Sequence, residues 1–192
     1  MRLRLQLLRH GETELGGGFR GSLDDRLTAA GWQQMRQRCA DAGPWDRLVS
    51  SPLQRCAAFA AELASQRGVP LEMHAGLREL HFGDWEGRSA AELMADQAEA
   101  LGRFWADPYG FTPPGGEPLT AFRERVLDSL EQLQRRYPGQ HLLLVTHGGV
   151  IRLLLALARG LPAADLLQVE VSHGQLVTLE RDARGGLHEC PC

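Results

Sequence analysis

Leu3-Arg4-Leu5-Gln6-Leu7-Leu8 runs straight into Arg9-His10-Gly11-Glu12-Thr13, and far downstream His141-Leu142-Leu143-Leu144-Val145 runs into Thr146-His147-Gly148-Gly149. Each stretch is a hydrophobic strand that ends in a histidine followed by glycine. The carboxyl ends of parallel strands are where open α/β sheets build their sites, so the pair predicts one sheet and one site. Glycine lets the backbone turn and lets an anion approach closely. Arginine grips two phosphate oxygens at once. Nearby guanidinium charge favours a neutral imidazole, the form in which histidine is a nucleophile. Two imidazoles beside an arginine therefore suit transfer of a phosphoryl group through histidine.

Moving outward, strands alternate with helical patterns. Thr28 is an N-cap, after which Trp32, Met35 and Cys39 fall at helical spacing. Arg47 to Ser50 is a short strand, and Ser51-Pro52 starts a helix that stops at Gly68. Val69 to Met73 is a strand. Ser89 caps a helix whose stripe runs through Ala90, Leu93, Met94, Leu101, Phe104 and Trp105. Asp107 to Pro118, rich in glycine and proline, is loop. Thr120 caps the next helix, ended by Tyr137-Pro138-Gly139. A helix follows from Gly148 to Ala158, then strands at Val169 to Ser172 and Gln175 to Glu180, and a last short strand after Gly185-Gly186. This order predicts a three-layer α/β/α sandwich on a mostly parallel sheet. The whole of 1–192 reads as one domain, with a helical and loop insertion at about 88–119.

Two further pieces carry chemistry. Ser50-Ser51-Pro52-Leu53-Gln54-Arg55 offers a helix start with unpaired N–H groups, a natural anion site, and Arg55 lies about one turn in. Leu77 to Gly87 holds Glu79, Asp84 and Glu86, any one of which could protonate a departing oxygen as general acid. His147 could hydrogen-bond a phosphate oxygen and steady the charge on the moving group.

Composition bounds the alternatives. The 192 residues are 43% hydrophobic and 23% charged, with a net charge of -3, which gives no basic excess for nucleic acid. All 21 basic residues are arginine, so a Schiff-base or P-loop lysine is excluded. No signal peptide is expected at Met1 to Leu8, and the longest apolar run, Val150 to Leu157, is interrupted by Arg152. Cys39 and Cys56 read as small buried hydrophobes, and Cys190-Pro191-Cys192 as an unstructured tail. The expected location is the cytoplasm. No pair among His10, His81, His147 and His173 has the short spacing of a metal motif.

Taken together, the motifs resemble the histidine phosphatase superfamily, with the phosphoglycerate mutase-like fold. They are Leu8 to Thr13, Gly21 with Leu27-Thr28 and Gly31, Ser50-Ser51-Pro52 with Arg55, Glu79 with Phe82-Gly83 and Trp85-Glu86-Gly87, and Val145 to Gly149. The resemblance implies that His10 is the phosphorylated nucleophile and that Arg9, Arg55 and His147 form the rest of a phosphate pocket, lined also by Thr13, Gly21 and Gly148. It implies Glu79 as proton donor, from its place three residues before Phe82-Gly83. It implies a small phosphomonoester as substrate, and no metal or other cofactor.

Within the superfamily the chain is most similar to the α-ribazole phosphatases. The compact length, the run Glu79 to Glu86, and Pro113-Pro114-Gly115-Gly116-Glu117 leading into Ala121 to Val126 carry that likeness. Phosphoglycerate mutases carry a longer middle insertion. Many relatives have an asparagine shortly after the first motif and an arginine before the aromatic position preceding Gly21. Here Glu14 to Arg20 is a short glycine-rich loop without asparagine, and whether Arg20 replaces that arginine is open. A broad-specificity or sugar-phosphate phosphatase, a mutase and a non-catalytic phospho-ligand binder are the alternatives. Trp105, Tyr109 and Phe111 are expected either at the pocket mouth, against an aromatic base, or in the core.

Overall fold

The structure, a computed structural model, describes residues 2–190. Strand β1 (Leu3–Arg9) lies inside a sheet with β2 (Arg47–Ser50), β3 (Leu71–Met73), β4 (His141–Thr146), β5 (Leu176–Arg181) and β6 (Leu187–Cys190). The order is β3-β2-β4-β1-β5-β6. β3, β2, β4 and β1 are parallel, and β5 and β6 join antiparallel. Strands with parallel neighbours on both sides are buried on both faces, which is why β4 reads as a nearly continuous apolar run, whereas β1, antiparallel to β5 on one side, alternates through Arg4 and Gln6.

Alternation along the strands builds two cores. Leu143 and Val145 of β4, with Leu8 and Leu48, meet Met35 and Cys39 of α1 (Ala29–Cys39) and Phe59 and Leu63 of α2 (Gln54–Arg67). Leu142 and Leu144, with Leu5 and Leu7, meet the other layer. That layer consists of α3 (Ala90–Asp96), α4 (Ala98–Ala106), α5 (Leu119–Arg136) and α6 (Gly148–Ala158). It contributes Leu93, Phe104, Phe122, Leu130 and Ile151. Each such side chain stabilises by about 1.5–3 kcal/mol relative to exposure. The result is the expected three-layer sandwich. Among the described residues no helix is long and apolar enough to cross a membrane.

Two caps form as read. Thr28 Oγ1 accepts from the Gly31 N–H at 3.0 Å, and Ser89 makes a capping box with Glu92. Other boundaries move for identifiable reasons. Ser51 does not cap α2, which starts at Gln54 behind Leu53; its hydroxyl instead meets His147 Nε2 at 2.7 Å. The stripe from Ala90 to Trp105 is two helices, broken at Gln97, whose side-chain oxygen accepts from Trp85 Nε1 at 2.8 Å. Pro118 holds the cap position of α5, and Thr120 lies inside the helix. Val169 to Ser172 is not a strand. Its Val169 and Val171 carbonyls accept from the side chains of Arg152 and Arg9 rather than from a neighbouring strand. Cys190, expected in a loose tail, pairs with Thr178 in β6; Pro191-Cys192 lies outside the described residues, as does Met1.

Candidate active site

Register brings the two histidines together. In the β1–β4 pairing Arg9 stands opposite Thr146, so the next residues, His10 and His147, leave the sheet side by side. The His10 N–H donates to the Thr146 carbonyl at 3.0 Å, and the ring centroids are 5.3 Å apart, edge to face. Ser50 of β2 pairs with Val145, which sets Ser51 beside the same edge.

His10 is 7% exposed. Its Nδ1 lies 2.8 Å from the Gly11 carbonyl, which can only accept, so Nδ1 carries the proton and Nε2 the lone pair. Burial, then the Arg55 charge, holds this imidazole well below the usual histidine range, against the pull of the Gly11 carbonyl. His147 is shifted the same way by burial, then by Arg55. Both rings are therefore neutral at pH 7.

The arginines differ in how they are held. Arg9 Nη1 donates to the Val171 carbonyl at 2.5 Å and Nη2 lies 3.1 Å from His173 Nε2. Its Nε is buried without a partner among the described residues, beside Gly148, where any side chain would crowd it. Arg55 is 0% exposed. It donates to the carbonyls of Leu23 (2.6 Å) and Gly21 (2.9 Å) and from Nε to His147 Nδ1 (3.3 Å), with Asp25 at 3.7 Å. Arg20 is bound to Asp25 (2.6 Å), Thr13 Oγ1 (3.1 Å) and the carbonyls of Leu15 and Gly17, so it fastens the glycine-rich loop.

The two glutamates part company. Glu79 accepts from the Gly149 N–H at 2.9 Å and the Leu80 N–H at 3.0 Å, and a β-carbon on Gly149 would collide with this carboxylate. Glu86 accepts from the N–H groups of Ser22 and Leu23 at 2.7 Å each, and sits 2.6 Å from His81 Nδ1. Burial pushes Glu86 up, but these donors outweigh it and the carboxyl is lowered overall. It clasps its loop to residues 22–23.

A cavity of about 270 Å³ is walled by Arg9, His10, Thr13, Glu79 and Gly148, with His173. A second, of about 410 Å³, is largely apolar, with Phe104, Trp105 and Phe122 on its wall. The two share Phe19, Glu79, Phe82, Gly149 and Arg152. Arg55 and His147, both 0% exposed, stand behind His10 rather than on the wall. Gly21 is a step further back, holding Arg55 by its carbonyl. The aromatic trio is split. Trp105, 45% exposed, stands at the apolar cavity. Phe111 stacks on Trp85 at 5.8 Å, and Tyr109 opens on a different groove.

Two residues on these walls escaped the sequence reading. His173 was visible as a third His-Gly pair, and its role as acceptor for Arg9 depends on a loop with no strand pattern. Burial, then the Arg9 charge, lowers its pKa. Arg152 stood out only as a break in an apolar run; its spacing of three from Gly149 puts both on one helix face.

Comparisons with known proteins place the chain in a family. Residues 5–189 match the family model of the histidine phosphatase superfamily (branch 1). The chain is 35% identical over 176 residues to the adenosylcobalamin/α-ribazole phosphatase of Salmonella typhimurium, covering 90% of this chain and 87% of that protein. It is 34% identical over 171 residues to the glucosyl-3-phosphoglycerate phosphatase of Mycolicibacterium vanbaalenii, covering 83% and 75%. The solved structure of the α-ribazole phosphatase from Shigella flexneri is similar with a TM-score of 0.83 and 30% identity, covering 97% and 94%. With the family model matched over residues 5–189, the chain belongs to the histidine phosphatase superfamily.

Proposed function

We propose that the protein is a phosphomonoesterase acting through a phosphohistidine at His10, with α-ribazole 5′-phosphate, or the corresponding cobalamin 5′-phosphate, as its substrate in cobalamin biosynthesis. The observation that carries the chemistry is the 2.8 Å contact between His10 Nδ1 and the Gly11 carbonyl. With Nδ1 tied to Gly11, Nε2 is a neutral lone pair on the cavity wall, the form that attacks phosphorus. Its Nε2–P bond forms as the ester P–O bond breaks, and the Glu79 carboxyl gives its proton to the leaving oxygen. Water then loses a proton to Glu79 and attacks phosphorus. The P–N bond breaks, orthophosphate leaves, and His10 returns neutral.

The unpartnered Arg9 Nε supports a phosphate subsite, since a buried donor without an acceptor costs about 1–3 kcal/mol unless a ligand meets it. In this reading His147 turns its Nε2–H from Ser51 to a phosphoryl oxygen, and Arg55 holds that ring from the other side. Thr13 and the N-terminus of α6 at Gly148 complete the anion cradle. Fixed guanidinium and imidazole groups supply the charge stabilisation of the transition state. The apolar cavity beside it, with Trp105 on its wall, favours a leaving group carrying an aromatic base. The free thiols of Cys39, Cys56 and Cys190 suit the reducing cytoplasm, which is part of the proposal.

A sugar-phosphate phosphatase is the second reading, favoured by the 34% identity to a glucosyl-3-phosphoglycerate phosphatase. Steady-state kinetics on α-ribazole 5′-phosphate, glucosyl-3-phosphoglycerate and simple sugar phosphates separates the two. The first reading expects the highest kcat/KM on the ribazole ester; faster turnover of a sugar phosphate transfers the assignment to the second. Rapid quench with ³²P-labelled substrate should trap label on protein. His10→Ala should lose the label and at least about 10³-fold in kcat. Turnover surviving in that variant would end both readings.

A further inference from the structure

α6 is an apolar helix with one misfit. Val150, Ile151, Leu153, Leu154 and Leu155 are all buried, and Arg152 sits among them. It is half-buried, and among the described residues its only side-chain hydrogen bond runs from Nε to the Val169 carbonyl at 2.9 Å. No carboxylate among the described residues pairs with it. A partly desolvated cation without a counter-charge is unfavourable, and an apolar residue would fit this helix without that cost. The two terminal nitrogens, with four N–H donors, are left for something else.

Their location narrows what that is. Arg152 is on the walls of both the phosphate cavity and the apolar cavity. It lies one turn beyond Gly149, whose N–H orients the Glu79 carboxylate, so it stands next to where the leaving oxygen would be protonated. Arg9, His10, Arg55 and His147 already serve the phosphoryl group in the proposed mechanism. What passes between the two cavities is the part of the leaving group nearest the ester.

Resting on the phosphomonoesterase reading, we infer that Arg152 selects the leaving group by donating to an oxygen substituent, hydroxyl or carboxylate, carried close to the ester bond. The substrate class is then an amphipathic phosphomonoester with three segments: phosphate in the first cavity, an oxygen-bearing segment at Arg152, and an apolar or aromatic end in the second. A buried donor that expects an oxygen discriminates strongly against analogues that lack it.

The test compares wild type, Arg152→Met and Arg152→Lys on three esters. α-Ribazole 5′-phosphate offers ribose hydroxyls, 3-phosphoglycerate offers a carboxylate, and phenyl phosphate offers neither. Arg152→Met should lose about tenfold to a hundredfold in kcat/KM, mainly through KM, on at least one oxygen-bearing ester. Phenyl phosphate should stay within about twofold, because no donor–acceptor pair is removed there. Which of the first two esters suffers identifies the oxygen, and Arg152→Lys should recover part of the loss. Unfolding midpoints of both variants show whether the lost Val169 bond matters, and Arg152→Lys carries the comparison if Arg152→Met does not fold. Equal losses on phenyl phosphate would make Arg152 a phosphate ligand and overturn the inference, as would no loss on any ester. Wild type inert toward all three would overturn the phosphatase reading itself.

Discussion

For single residues, the decisive property is that two imidazoles are neutral for stated reasons. An unperturbed histidine titrates near 6.5, and His10 and His147 lie well below that through burial, then the Arg55 charge. Neutral His10 is the reactive form, so kcat/KM, corrected for ionisation of the substrate, should stay level from pH 7.5 through 6. A decline centred on 6.5 would contradict this. Stability moves the other way. Below pH 6.5 the unfolded chain binds protons at these rings while the native state does not, so stability falls with falling pH until the folded pKa is reached. The loss is about 1.4 kcal/mol per pH unit for each imidazole. Urea titrations should therefore show a total fall in stability from pH 7.5 to 5.5 that is smaller by about 1.4 kcal/mol in His10→Asn than in wild type. An identical fall would mean that His10 is not held neutral. His10, Arg9 and His147 were legible as residues because each sits next to a glycine or at a strand end, whereas Glu79 was one of three loop acids and was singled out only by the family resemblance. His173 and Arg152 were not, because their partners, Arg9 and the Val169 carbonyl, lie far away in sequence and only the fold brings them near.

For single elements, the start of α6 does two jobs with adjacent glycines. Gly148 leaves room for Arg9, and Gly149 lets the helix N–H reach Glu79. Gly149→Ala would drive its β-carbon into the Glu79 carboxylate, while helix propensity alone favours alanine by about 1 kcal/mol. Kinetics should then lose about 10²-fold in kcat, as misplacing a reacting group by about an ångström does, while the unfolding midpoint moves little. A variant as active as wild type would separate Glu79 from the proton transfer. The same elements show why kinds were readable and ends were not. The short apolar run of β4 fits a strand buried on both faces, and the alternation of β1 through Arg4 and Gln6 fits a strand too. The hydroxyl of Ser51, by contrast, is shared between His147 at 2.7 Å and the Leu53 N–H at 3.4 Å, so the helix begins two residues later than a serine cap would place it. Gln97 likewise breaks a continuous stripe because Trp85 Nε1 claims its side chain, a long-range contact with no local signal.

For the whole molecule, both layers converge on one edge of the sheet. The α1–α2 side supplies Arg55, the α6 side supplies Arg152 and the helix N-terminus, and the segment leading into β5 supplies the Val171 carbonyl and His173 that hold Arg9. Arg9, Arg20, Arg55 and Arg152 thus gather around few carboxylates, chiefly Asp25 and Glu79. Arg9 feels the crowd: burial, then the charges of Arg152 and Arg55, lowers its pKa, against the opposing pull of Glu79. An anion seated among them relieves that repulsion in the native state and has no such site in the unfolded chain. Orthophosphate, the expected product, should therefore stabilise by mass action. At a hundred times its Kd the gain is about 2.7 kcal/mol, which for a chain of this size raises the unfolding midpoint by about 5–10 °C. Arg9→Gln should lose most of that rise, because it removes the unpartnered Nε donor, and chloride at matched ionic strength should give little of it in either protein. If chloride reproduces the whole shift, the cationic cluster is merely being screened and no phosphate subsite exists at this edge. If phosphate stabilises wild type and Arg9→Gln equally, the subsite does not run through Arg9.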